Sequence, residues 1–100
     1  VYTQVHVMTQ IAVARKTRDA KLVVVDPYRT PTVAQANMHL MVRPSTDGAV
    51  ACAVMHVLIG EGLADRDYLR RMTDWSPALE AHLATRTPAR AEAISGVPAA

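Results

Sequence analysis

Two short loops hold the residues best suited to chemistry. They are Asp26-Pro27-Tyr28-Arg29-Thr30 and Arg43-Pro44-Ser45-Thr46-Asp47. Each follows a run of apolar residues, so an acid stands where a strand gives way to another element. At the carboxyl end of a parallel strand, a carboxylate can accept hydrogen bonds from a nucleotide ribose, and Asp26 is placed for this. A carboxylate at a helix start can also accept two parallel hydrogen bonds from a guanine edge, whose ring N–H and exocyclic amine form a donor pair. Asp47 suits that role. Arg29 can meet phosphate or stack on a base. The Thr30, Ser45 and Thr46 hydroxyls and nearby helix-start N–H groups add polar contacts. Plainer roles compete with these: Asp47 as an N-cap, Asp26 before Pro27 as a turn signal, and Tyr28 and Trp75 as partly buried packing residues. His6, His39, His56 and His82 share no metal-binding spacing, and His56 reads as a hydrogen-bonded core histidine.

The elements that must position these loops follow from periodicity. Val5, Met8, Ile11 and Ala12 recur at helical spacing, with Thr3 available as N-cap and Arg15, Lys16 and Arg18 complementing the helix C-terminus. This predicts an amphipathic helix that turns at Asp19-Ala20. Lys21 to Val25 is β-branched and apolar on both faces, as in a buried parallel strand. Thr30-Pro31 predicts a short helix through about Ala36, and Met38 to Val42 is the next buried strand. Thr46 or Asp47 can cap an apolar helix reaching about Glu61, with Gly62 as its stop. Its all-round apolarity places it between layers. Asp65, Ser76-Pro77 and Thr87-Pro88 then announce three short helices ending near Met72, Thr85 and Ser95, and Gly96 closes the last. The fold class is therefore α/β: a partial Rossmann-like parallel-strand unit followed by short helices. Residues 1–62 read as part of a dinucleotide-cofactor-binding domain and 63–100 as a helical extension of it.

Bulk composition limits the alternatives. Of 100 residues, 50% are hydrophobic and 20% charged, as in an ordinary globular domain or part of one. The net charge of +2 comes from scattered arginines, which do not form the basic face of a nucleic-acid binder. A lone cysteine, Cys52, excludes an internal disulfide and a thiolate cluster, and its plain reading is a small buried thiol. The apolar run from Gly48 to Gly60 is shorter than the roughly 18 residues of a membrane span. There is no glycine-rich nucleotide fingerprint. The start at Val1 and the loop-like end, Gly96-Val97-Pro98-Ala99-Ala100, suggest an internal piece of a longer chain. No compartment follows from the residues, with the cytoplasm favoured over the periplasm.

AKLVVVDPYRT, ANMHLMVRPSTDGAV and AVMHVLIGEGLADRDYL together resemble the molybdopterin-guanine-dinucleotide oxidoreductases, the family of formate dehydrogenases, nitrate reductases and dimethyl sulfoxide reductases. The specific element is a VDPxRT-like loop followed by a RPxTD loop, and TRTPARAEAISGVPA resembles the family's helical tail. The resemblance covers nearly the whole chain. It implies a Rossmann-like unit holding the guanosine end of a molybdopterin guanine dinucleotide through Asp26, Pro27, Tyr28, Arg29, Thr30, Ser45, Thr46 and Asp47. It further implies molybdenum or tungsten as the metal, an iron-sulfur cluster in the parent protein outside this segment, and association with the remaining domains of the parent chain and with an electron-transfer subunit. Ser45 stands where Gly is common, and Asn37 where Asp is common. The metal ligand and the upstream loop completing the nucleotide site fall outside the sequence, so the segment alone is not catalytically competent. Two other readings are a scaffold of the same fold without molybdenum, as in the large subunit of NADH dehydrogenase, and an unrelated nucleotide-binding module.

Overall fold

A computed structural model describes residues 5–99, together with the side chains from residue 6 onward. The chain is mostly helical, with one small parallel sheet, an α/β arrangement. It forms two compact units, residues 1–41 and 42–100, each with its own internal organisation.

The first unit contains α1 (Val5–Arg18), β1 (Val23–Val25), a 3-10 turn (Val33–Gln35) and β2 (Met38–Leu40). In α1, Met8, Ile11, Ala14 and Arg15 form the half-buried stripe, while Ala12 is exposed, one step off the face expected for it. The stripe turns toward Arg15 because its guanidinium donates to the Gln35 carbonyl. The Thr3 cap lies outside the described residues. Asp19 ends the helix with a positive φ of 48°, a conformation that Asp tolerates better than most residues.

The strands pair in parallel, Val23 with Met38, Val24 with His39 and Val25 with Leu40. Both are shorter than expected, and neither is buried on both faces. Val23 and Val25 are 49% and 43% exposed, and Met38 is exposed as well. Two three-residue strands have no further strand beside them among the described residues, so their outward valines stay uncovered. Polar links hold the register instead. The Asn37 side-chain carbonyl accepts the Leu22 N–H at 2.9 Å, while the Asn37 N–H donates to the Leu22 carbonyl at 2.8 Å. The helix expected after Thr30 shrinks to a single 3-10 turn with Thr32 and not Thr30 in the N-cap position, although the Thr30 hydroxyl does accept the Val33 N–H.

The second unit contains the hydrophobic core. α2 (Asp47–Gly60) packs against α5 (Pro88–Ser95) and α4 (Pro77–Ala84), and Val42, Val50, Ala53, Leu83 and Ala91 are buried there. His56 donates from its ring to the Leu83 carbonyl at 3.0 Å, as expected of a core histidine. α2 does not lie between two layers. Val54 is 51% exposed and Met55 and Leu58 are also uncovered, because both packing partners lie on the Val50–Ala53 side. Its C-terminus closes as a Schellman motif, with Leu63 N–H to the Leu58 carbonyl, Gly62 N–H to the Ile59 carbonyl, and Gly62 at φ 70°.

α3 (Arg66–Met72), α4 and α5 are capped by Asp65, Ser76 and Thr87 through side-chain acceptors, at the positions read from sequence. An Arg66–Glu80 ion pair at 2.8 Å ties α3 to α4.

Leu83 is 2% exposed, so Leu83→Ala is expected to lower unfolding free energy by about 3 kcal/mol in urea titrations followed by circular dichroism. Asn37→Asp keeps an acceptor for the Leu22 N–H and should shift the same titration by less than about 0.5 kcal/mol, whereas Asn37→Ala should cost about 1 kcal/mol.

Candidate functional site

Each unit presents one of the two loops. In the first, Asp26 follows β1 and its backbone N–H continues the ladder by donating to the Leu40 carbonyl at 3.2 Å. One carboxylate oxygen accepts the Tyr28 N–H at 2.8 Å, closing an Asx turn over Pro27. The turn reading of Asp26 is thus correct for one oxygen, and the second has no partner among the described residues. The His39 ring on β2 donates to the Asp26 carbonyl at 2.8 Å and steadies the loop from the neighbouring strand. Beyond the turn, the chain presents its polar groups outward. Tyr28 is 72% exposed, against the expectation of a packing residue. Arg29 is exposed and forms no ion pair among the described residues. By contrast, Trp75 is half-buried, as expected.

The loop in the second unit is a tight turn. The Thr46 N–H donates to the Arg43 carbonyl at 3.2 Å, Pro44 occupies the second position, and Ser45 in the third has φ 65°. A proline followed by a positive-φ residue across such a bond defines a type II turn, whose third position favours glycine. Ser45 therefore sits in a left-handed conformation costing an L-residue roughly 1–2 kcal/mol. Its side chain is exposed, with no hydrogen bond among the described residues.

Thr46 precedes α2 in the N-cap position, but its hydroxyl does not accept from the helix. It donates instead to the Arg43 carbonyl at 2.6 Å. Asp47 is the first residue of the helix and is exposed, and its carboxylate has no hydrogen-bond or ion-pair partner among the described residues. Capping is therefore the role of neither side chain. What remains for Asp47 within the chain is the favourable field of the helix N-terminus.

Arg43 anchors this turn. Its guanidinium donates to the Ala93 and Ile94 carbonyls at 3.1 and 3.2 Å, at the C-terminal end of α5, and its backbone N–H donates to the Ser95 carbonyl at 2.9 Å. Ser95 is fully buried, donating to the Ala91 carbonyl and accepting the Val97 N–H. Sequence reading missed the roles of Arg43 and His39. A local pattern could not have shown that of Arg43, because its partners lie about fifty residues away.

Other sequence candidates carry less. Cys52 is half-buried in a cleft of about 250 Å³ that is also lined by His82, Arg86 and Arg90. Among the described residues, no three His, Cys, Asp or Glu side chains are grouped to hold a metal, and no helix is long and apolar enough to cross a membrane.

No protein-family model matches the chain. It is, however, similar to formate dehydrogenase 1 subunit alpha of Methanococcus maripaludis, 40% identical over 85 residues that make up 85% of this chain and 13% of the relative. It is 36% identical over 93 residues to the dimethyl sulfoxide/trimethylamine N-oxide reductase of Rhodobacter capsulatus, covering 86% of this chain and 11% of that protein. Among solved structures, acetylene hydratase from Pelobacter acetylenicus superposes with a TM-score of 0.81 at 27% identity, over 92% of this chain and 12% of the other. The chain belongs to the molybdopterin oxidoreductase family, whose members it matches over a part of their length. The dehydrogenase and reductase relatives are oxidoreductases and molybdenum- or tungsten-pterin enzymes, and the chain spans only a small share of each.

Replacing Ser45 with Gly should relieve the left-handed strain and raise stability by up to about 1 kcal/mol. Ser45→Val, β-branched in the same slot, should lower it. Urea denaturation of the two variants is expected to move the midpoint in opposite directions.

Proposed function

We propose that this chain is the segment of a larger molybdenum or tungsten oxidoreductase that binds the guanosine end of a molybdopterin guanine dinucleotide. The observation carrying the proposal is the exposed, unpartnered carboxylate of Asp47 on the first turn of α2. Its two oxygens match the paired N–H donors of a guanine edge. The other loop residues carry polar groups of the kinds that the rest of such a cofactor needs. The second oxygen of Asp26 is open to a ribose hydroxyl. Pro27 holds the Asx turn rigid, Tyr28 offers an exposed ring, and Arg29 offers a guanidinium for phosphate. Thr30 accepts from Val33 and keeps its own hydroxyl hydrogen to donate. The Ser45 hydroxyl is open on both counts, and Thr46, which donates to Arg43, keeps its oxygen as an acceptor.

When bound, the pterin-held metal supplies two-electron chemistry such as oxygen-atom or hydride transfer, and the protein positions and tunes the cofactor. The segment's part is to hold the nucleotide end. The exposed valines of β1 fit a Rossmann-like sheet continued by further strands of the whole enzyme, with the other domains of the parent chain and an electron-transfer subunit as its partners. An iron-sulfur cluster, if the enzyme uses one, belongs to those other segments.

Asp47→Ala in the full-length enzyme tests this reading. Loss of two hydrogen bonds to a charged group is expected to lower guanine nucleotide content, measured as GMP released by acid hydrolysis per protein, by more than about tenfold. Unchanged GMP content would sink the assignment. Metal analysis of the unmutated enzyme should give stoichiometric molybdenum or tungsten, which a metal-free scaffold would not contain.

A further inference from the structure

We infer that Arg43 is a positioning residue for guanine recognition, setting the place of the Asp47 carboxylate from the far end of α5; this inference rests on the proposed role of Asp47. The chain of contacts is continuous. The Ala93, Ile94 and Ser95 carbonyls are among the four that a helix of this length leaves without intrahelical donors at its C-terminus. Arg43 supplies donors to all three, two from the guanidinium and one from its backbone. Its positive charge also meets the negative end of the helix dipole. The Arg43 carbonyl in turn receives both the Thr46 N–H and the Thr46 hydroxyl, at 3.2 and 2.6 Å. Thr46 is joined by one peptide bond to Asp47. One residue thus grips α5 with its donors and the start of α2 with its acceptor.

Gly96 lies beside the grip. At φ 78° it lets the chain leave α5 in the left-handed conformation. A Cβ there would stand 3.5 Å from the Arg43 Nε and 3.7 Å from Cζ, ordinary van der Waals contact, so the left-handed backbone, and not crowding of the guanidinium, is what disfavours a side chain. Both side-chain bonds leave a single guanidinium nitrogen, Nη1, whose two hydrogens point to successive carbonyls. A lysine would keep the charge and could donate from one ammonium, but without the planar geometry that fixes the direction of the donors. The Asp47 carboxylate has no bond of its own among the described residues, so a shift of the helix start at Thr46 is passed on to it. Recognition by two parallel hydrogen bonds tolerates little such movement, since productive sites hold their groups within about 0.5 Å.

The test compares Arg43→Ala, Arg43→Lys, Gly96→Ala and Asp47→Ala in the full-length enzyme. The readouts are GMP released per total pterin and the thermal unfolding midpoint. Arg43→Ala is expected to lower the GMP-to-pterin ratio on the order of tenfold, as oriented supporting residues do at other ligand sites. Arg43→Lys should restore part of the ratio and Gly96→Ala should fall between the unmutated enzyme and Arg43→Ala. A lower midpoint with an unchanged GMP-to-pterin ratio in Arg43→Ala and Gly96→Ala would overturn the inference and leave Arg43 a purely structural residue. Should Arg43→Ala fail to fold, the lysine and glycine variants decide the matter by the same ratio. If Asp47→Ala itself leaves the ratio unchanged, the fault lies with the proposed guanine site; if only Asp47→Ala lowers it, the fault lies with the positioning role of Arg43.

Discussion

One polar seam, the bonds from Arg43 to the last carbonyls of α5, ties the start of the second unit to its end. A helix end whose carbonyls are neither hydrated nor bonded is costly, and here the donors come from a residue about fifty positions earlier. The same residue opens the type II turn into α2. The seam therefore links the start of the main core helix to the end of the chain's last helix, and the buried residues Val50, Ala53, Leu83 and Ala91 fill the space between those elements. Hydrophobic burial supplies the cohesion, while the arginine supplies the register.

The first unit is built differently. None of its described residues is fully buried, and its links are the Arg15 bond to Gln35, the reciprocal pair between Leu22 and Asn37, the three-residue strand ladder and the His39 contact with Asp26. Such links fix geometry well but add only about 1 kcal/mol each. Half-exposed valines on β1 are poor surface for an independent body, which fits a segment spanning 13% of the formate dehydrogenase subunit it matches.

Much of this was legible in the sequence, and the failures share a cause. Caps are local chemistry: Asp65, Ser76 and Thr87 each bond a nearby N–H, and Gly62 and Gly96 each take the left-handed step that ends a helix, all as their positions in the sequence indicate. Burial is not local. The valines of β1 and the outer face of α2 read as interior because their composition is interior-like, yet nothing among the described residues covers them. Asp47 shows the limit most clearly. An acid before an apolar helix predicts a cap, but Thr46 holds the cap position and turns its hydroxyl back to Arg43, so the acid is left open to solvent. The resemblance of the loops to a family picked out the same acid, by a route that does not depend on capping rules. Neither capping chemistry nor the loop resemblance points to Arg43, because its partners lie about fifty residues away.

The span of the Arg43 seam also has a consequence for synthesis. Chains are made at about 5–20 residues per second, so Ala93 and Ile94 are added roughly 3 to 10 s after Arg43. Closing a loop of that size costs conformational entropy that only the finished α5 can offset. Through that interval the Pro44–Ser45 turn has its own hydrogen bonds but no outside anchor, and Asp47 is free to sample many directions. A nascent chain halted before Ala93 would carry every residue of both loops and still lack the contact that anchors the second, so that loop is set only once α5 has been made.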